Sequence, residues 1–176
     1  MKTTFILFSF FLLSSCSGIK PYMPSHQKND FARLSLIGTW YQSVRLQNGS
    51  IVERQVEHFA DGTYREFTKT SLTENINSTS LELGQWGVSG DILFITRKGW
   101  VEGCSIVTPN VDSAENYNAY QIDLLTTTKL QYHHLSQPNG FKLIKQKNHN
   151  LMKSANSMME DCAYMSKKTR AAKIAV

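Results

Sequence analysis

Between residues 37 and 146 the chain is a succession of short β-type runs, each ended by a turn signal, and this rhythm limits what it can fold into. Ile37 to Val44 comes first, and Asn48-Gly49 follows it. Asn-Gly is a strong two-residue hairpin signal, because both residues accept positive φ. The second run is Ile51 to Phe59, where Val52 and Val56 are two alternations apart. Asp61-Gly62 leads into Thr63 to Lys69. Leu81 to Val88, a Ser89-Gly90-Asp91 turn and Ile92 to Arg97 come next. Trp100 to Val107 is less regular. Tyr117 to Leu125 and Lys129 to Leu135 form a further hairpin, and Phe141 to Gln146 closes the series after Pro138-Asn139-Gly140. Eight or nine short antiparallel strands in sequence make a sandwich or an up-and-down barrel. Consecutive hairpins favour the barrel, which leaves no exposed sheet edge.

Alternation assigns faces within these runs. Tyr120, Ile122 and Leu124 fall on one face of their strand, and Leu130 and Tyr132 on one face of the next, so Tyr120, Ile122, Leu124 and Tyr132 are expected inside. His133 and His134 are neighbours on a strand and must point to opposite faces, so they cannot both line one simple site. With 41% hydrophobic residues, the chain has enough apolar mass for one globular core. The expected domain spans residues 33–147.

Beyond the β region the composition shifts. Residues 148–176 lack Pro and Gly, and Leu151, Ala155, Met158, Met159 and Cys162 recur at helical spacing. An amphipathic C-terminal helix is expected, its Met-rich stripe packed on the barrel wall or kept as an adaptable binding surface. Lys167, Lys168, Arg170 and Lys173 make a basic tail. It reads as a solvated terminus or as a contact for anionic lipid or polyanions. No nucleic-acid-binding motif accompanies it.

At the other end Lys2 precedes an apolar run from Phe5 to Leu13, followed by Ser14, Ser15 and Cys16. This is the layout of a secretory signal peptide over residues 1–15, and the run is shorter than the about 20 apolar residues a spanning helix needs. Leu13-Ser14-Ser15-Cys16 resembles the lipobox of bacterial lipoproteins. The resemblance implies cleavage before Cys16 and acylation there, palmitate-type chains included, so that membrane lipid is the first partner. With Ser17 next, it further implies outer-membrane sorting, on a periplasmic or surface face. Residues 16–32 then read as the lipidated Cys and a flexible tether, with Gly18, Pro21, Pro24, Asn29 and Asp30. With Cys16 acylated, Cys104 and Cys162 are left as a pair that forms a disulfide or stays as two thiols. For a loop of this length a bridge contributes about 4 kcal/mol by chain entropy.

Gly38-Thr39-Trp40 opens the first strand of the meander, and the domain resembles a small lipocalin-like (calycin) barrel. There a Gly-x-Trp starts strand one and the Trp closes one barrel end; here that assigns Gly38 and Trp40. Phe59 to Tyr64 and Gly84 to Leu93 resemble turn-and-strand pieces of such domains, and Tyr117 and Tyr120 resemble part of a second motif. Lys142 and Lys145 are both candidates for the basic residue that crosses the Trp. The resemblance implies an all-β, antiparallel up-and-down barrel that binds a small hydrophobic molecule or a lipid. The alternative is a filled barrel that serves as an interaction module for an envelope protein or surface polymer. No nucleophile elbow, phosphate loop, carboxylate pair or metal-ligand spacing is visible. The chain therefore reads as a non-enzyme without cofactor or metal.

Overall fold

A computed structural model describes residues 25–72, 76–102, 104–137 and 140–146, together with Leu151, Lys153, Ser157 and Glu160. Nine strands follow one helix. They are β1 (Gly38–Arg45), β2 (Ile51–His58), β3 (Thr63–Leu72), β4 (Ile76–Ser89), β5 (Ile92–Glu102), β6 (Ser105–Val107), β7 (Tyr117–Leu125), β8 (Lys129–His134) and β9 (Gly140–Gln146). The helix is α1 (Ser25–Leu36). Sheet order is β4-β3-β2-β1-β9-β8-β7-β5-β6, and β4 also pairs with β5. That last pairing closes eight strands into an antiparallel barrel. The short β6 is an extra strand folded back on the end of β5 through Trp100↔Val107.

The turns are those the sequence demands. Gly49, Gly62 and Gly90 have φ of 85°, 87° and 61°, values that favour glycine. They join β1 to β2, β2 to β3 and β4 to β5. Gly84 serves a different need. It lies where the β4–β5 register shifts, and a Cβ there would overlap the Thr96 carbonyl oxygen and the Tyr64 ring. Gly84→Ala is therefore expected to destabilise the protein by about 1–3 kcal/mol through overpacking. Gly87, with open space around it, serves as the control. Urea unfolding of both variants checks this, and equal midpoints would contradict it.

The main core runs down the barrel axis: Leu36, Trp40, Val56, Tyr64, Trp86, Leu93, Leu130, Tyr132 and Leu143 are buried together. A second cluster lies on the outer wall, where Phe67 and Leu81 are buried beneath Leu151. Apolar residues on both faces of β3 and β4 follow from this, since the inner face fills the barrel and part of the outer face is covered.

Two expectations change. The helix placed against the barrel is N-terminal, not the C-terminal one expected over 148–176. It begins at Ser25, inside the segment read as a tether, because Ala32 and Leu36 (one helical turn apart) bury against the barrel end. Most of the C-terminal stretch lies outside the described residues, although Leu151, Lys153, Ser157 and Glu160 are helical. Leu124 also departs from the expected interior. A bulge at Asp123 takes the pairing from Ile122↔Tyr132 to Leu124↔Gln131, so Leu125 instead of Leu124 turns inward opposite Leu130.

Candidate functional site

The closed end of the barrel is built around Trp40. Its indole N–H donates to the Leu36 carbonyl at 2.7 Å, and the Lys145 ammonium donates to the Ser35 carbonyl at 2.8 Å. Both acceptors belong to the last turn of α1, where helix carbonyls lack intrahelical partners and a positive charge is favoured. The same ammonium stands 5.0 Å from the Trp40 ring. Of the two candidate lysines, Lys145 thus crosses the Trp, while Lys142 is exposed on the outer wall. Gly38, with φ of 114°, lies beneath the Lys145 chain, and a Cβ there would sit 3.1 Å from its Cε. A further cation, Arg33 of α1, stacks 5.1 Å from the Trp86 ring and donates to the Ala60 carbonyl.

Above this floor the interior changes from apolar to charged. Arg54 of β2 forms a two-pronged pair with Glu66 of β3: Nε donates to Oε1 and Nη2 to Oε2, both at 2.6 Å. The Arg54 guanidinium also lies 4.4 Å from the Phe141 ring centre. Beside it, where Glu82 of β4 pairs in register with Glu66, Arg97 of β5 donates from Nε to Glu82 at 2.6 Å, and the Tyr64 hydroxyl donates to the other Glu82 oxygen. Burial, then the Glu82 charge, raises the Tyr64 phenol well above its usual range, and burial pushes Tyr132 up to about 12. Both tyrosines therefore stay protonated at neutral pH. Tyr120 stands edge-on to Tyr132 and Phe141, which are tilted 30° to each other, and the three form an aromatic group beside these charges with centroids 5.1–6.1 Å apart.

These side chains surround a cavity of about 130 Å³ lined by Arg54, Glu66, Glu82, Arg97, Asn118 and Tyr120, among others. Its wall is predominantly polar. The apolar interior expected for a hydrophobic ligand is thus corrected: Ile95, Leu93 and Val56 contribute, but two ion pairs between neighbouring strands line the space. The four charges are differently committed. Arg54 gives Nε and Nη2 to Glu66 but keeps a buried Nη1 without a hydrogen-bond partner, whereas the partly exposed Arg97 is hydrogen-bonded only through Nε among the described residues.

Set against known proteins, the chain matches no family model and no curated protein.

The other residues singled out in the sequence are distributed as follows. Tyr120, Ile122 and Tyr132 pack on the core, and Trp40 is fully buried. His134 faces inward, edge-on to Tyr120 at 5.2 Å, while His133 faces out to Asp123 at 2.9 Å. Among the described residues no three His, Cys, Asp or Glu gather as a metal site. Cys104 is disulfide-bonded. Cys162, its expected partner, and Cys16, the expected lipidation site, lie outside the described residues, as do the signal peptide and the basic tail.

Sequence reasoning missed Arg54, Glu66, Glu82, Arg97 and His58. His58 sits on the inner face of β2, packed 4.9 Å from the Trp86 ring, and neither ring nitrogen has a hydrogen-bond partner. Burial first, with the positive charges of Arg54 and Lys145, outweighs the opposing pull of the nearby Leu36 backbone and holds its pKa down to about 3. In the unfolded chain His58 takes up a proton below about pH 6.5, and the folded state resists this until about pH 3. The unfolded state therefore binds more protons in that window, and stability falls as pH drops through it, by up to about 1.4 kcal/mol per unit. Urea unfolding at pH 6.5 and pH 5 reads this slope. His58→Leu should flatten it, and an unchanged slope in that variant would reject His58 as its source.

Proposed function

We propose that this chain is a membrane-anchored envelope lipoprotein, acylated at Cys16, whose barrel binds a compact polar molecule. The role is binding, not catalysis. The observation that carries the ligand reading is the pair of spare donors on the cavity wall: Arg54 Nη1, buried without a hydrogen-bond partner, and the partly exposed Arg97, hydrogen-bonded only through Nε among the described residues. Buried polar groups seek partners, and hydrogen bonds to a charged donor are the stronger ones.

Size and charge narrow the ligand. A 150 Å³ engineered cavity holds benzene, so a space of about 130 Å³ takes a molecule of similar bulk. Two arginines and two glutamates balance the wall. Adding a net charge to a low-dielectric interior is costly, which favours a neutral or zwitterionic ligand with an acceptor for Arg54 Nη1 and Arg97 and donors for the carboxylates. Of the expected small hydrophobic molecule or lipid, a long acyl chain needs a larger and more apolar channel than this cavity. The filled-barrel interaction module remains the second reading, favoured by the Arg54–Glu66 pair that occupies much of the interior.

Native mass spectrometry of the full chain extracted from bacterial envelopes tests this directly. A small polar adduct lost on denaturation is expected. Arg97→Met should weaken its binding about 10–100-fold, from the roughly 1.5–3 kcal/mol of a hydrogen bond to a charged group. A bound fatty acid would restore the lipid-carrier reading. A clean apo mass, with no response to small polar compounds, would favour the filled barrel. Metabolic labelling with palmitate, lost in Cys16→Ser, checks the anchor.

A further inference from the structure

We infer that the outer face of α1 is a membrane-contact surface, seated on the same bilayer that holds the Cys16 acyl chains; the inference rests on the lipoprotein reading above. Phe31 and Leu34, one helical turn apart, are 51% and 69% exposed on the side of α1 opposite the buried Ala32 and Leu36. Leu124, turned outward by the β7 bulge, is 37% exposed and joins Phe31 in lining a groove between α1 and the end of β7. The helix is held rigidly, so this face is fixed relative to the barrel. Lys28 pairs with Asp91 at 2.7 Å, the Asn29 side chain accepts from the Gly90 amide at 2.6 Å, and Arg33 reaches the Ala60 carbonyl.

The occupant follows from the length of chain ahead of the helix. Cys16 stands nine residues before Ser25, and nine extended residues reach at most roughly 30 Å. An acylated Cys16 therefore keeps α1 within that distance of the lipid headgroups. Two exposed apolar side chains are too few to bind a bilayer alone. Beside an acyl anchor they need supply only orientation, because the anchor makes their contact effectively intramolecular. The geometry has a consequence for the cavity. With α1 at the membrane, the closed end around Trp40 faces lipid and the opposite end, with the β1–β2 turn, faces water, the side from which a polar ligand arrives.

Two tryptophan variants of the full acylated chain in phosphatidylcholine vesicles with brominated acyl chains test the orientation. Phe31→Trp is expected to shift its emission to the blue and be quenched, relative to the unsubstituted chain. Gln47→Trp, in the β1–β2 turn at the other end, is expected to show neither change. Vesicle flotation run in parallel separates the two readings. Flotation without Phe31→Trp quenching, or with quenching at Gln47→Trp instead, overturns the α1 contact and leaves the anchor standing. A chain that is neither acylated nor floats overturns both.

Discussion

Glu66→Leu will destabilise the barrel by about 3–5 kcal/mol, and by more than Arg54→Met does. Removing one partner of a buried pair leaves the other charge unsolvated, which costs in this range. The Arg54 and Glu66 side chains are only 15% and 18% accessible. Their loss is not symmetric. An orphaned Glu66 escapes by taking up a proton, whereas an orphaned arginine remains charged at any accessible pH. Arg54 would retain the Phe141 ring and the neutral Tyr132 and Tyr120 phenols beside it, none of which carries a compensating charge. The double variant Arg54→Met/Glu66→Leu should recover most of the loss, because a well-packed apolar pair often equals a buried ion pair. It would also turn half of the charged wall apolar, and uptake of apolar probes by that variant alone would show that the two ion pairs set ligand class. Urea unfolding of the three variants at pH 7 measures this. An Arg54→Met cost equal to or above that of Glu66→Leu would contradict the asymmetry.

Trp40→Ala will cost about 3–5 kcal/mol, the range for truncating a fully buried aromatic. The loss has three sources. A large cavity opens at the barrel floor, the Leu36 carbonyl loses its indole donor, and Lys145 loses the ring beneath its ammonium. Trp40→Phe separates them, since it keeps a ring for Lys145 and gives up the N–H. Its expected cost is about 1–3 kcal/mol, that of leaving a buried acceptor unpaired. Amide exchange in α1 should rise in both variants, because Trp40 and Lys145 bond its last carbonyls. Unchanged protection of α1 in Trp40→Ala would mean that the helix is held by its other contacts to the 60–62 and 90–91 turns.

Much of the site was readable in principle. Val52 and Val56 mark one face of β2, and strict alternation places Arg54 and His58 on that same face. Glu66 shares a face with Tyr64 in β3 in the same way. What alternation does not reveal is partnership. Arg54 meets Glu66 diagonally, since Arg54 stands opposite Thr68 and Glu66 opposite Val56. A charge on an inner face is normally an error or a partner's mate, and only the register identifies the mate. Arg97 falls likewise on the face of Leu93 and Ile95, and the extra residue Lys98 breaks the alternation only beyond it, between Arg97↔Gly84 and Gly99↔Leu83.

By itself the sequence determined the strands, the turns and the floor. Asn48-Gly49, Asp61-Gly62 and Gly90-Asp91 dictate reversals through local backbone energetics, and consecutive reversals of amphipathic strands lead to an antiparallel barrel. Trp40 at its floor is what the lipocalin-like resemblance of Gly38-Thr39-Trp40 implies. Only the tertiary structure decided three things: that α1 plugs the closed end, that Leu124 yields its inward place to Leu125, and that two ion pairs fill the space expected to be apolar. The first and third depend on contacts between separate parts of the chain, Lys145 with Ser35 and Arg97 with Glu82, and the second on the register that β7 takes against β8 across a bulge. Local propensity is blind to such contacts, because their free energy exists only once the barrel has closed and excluded water from them.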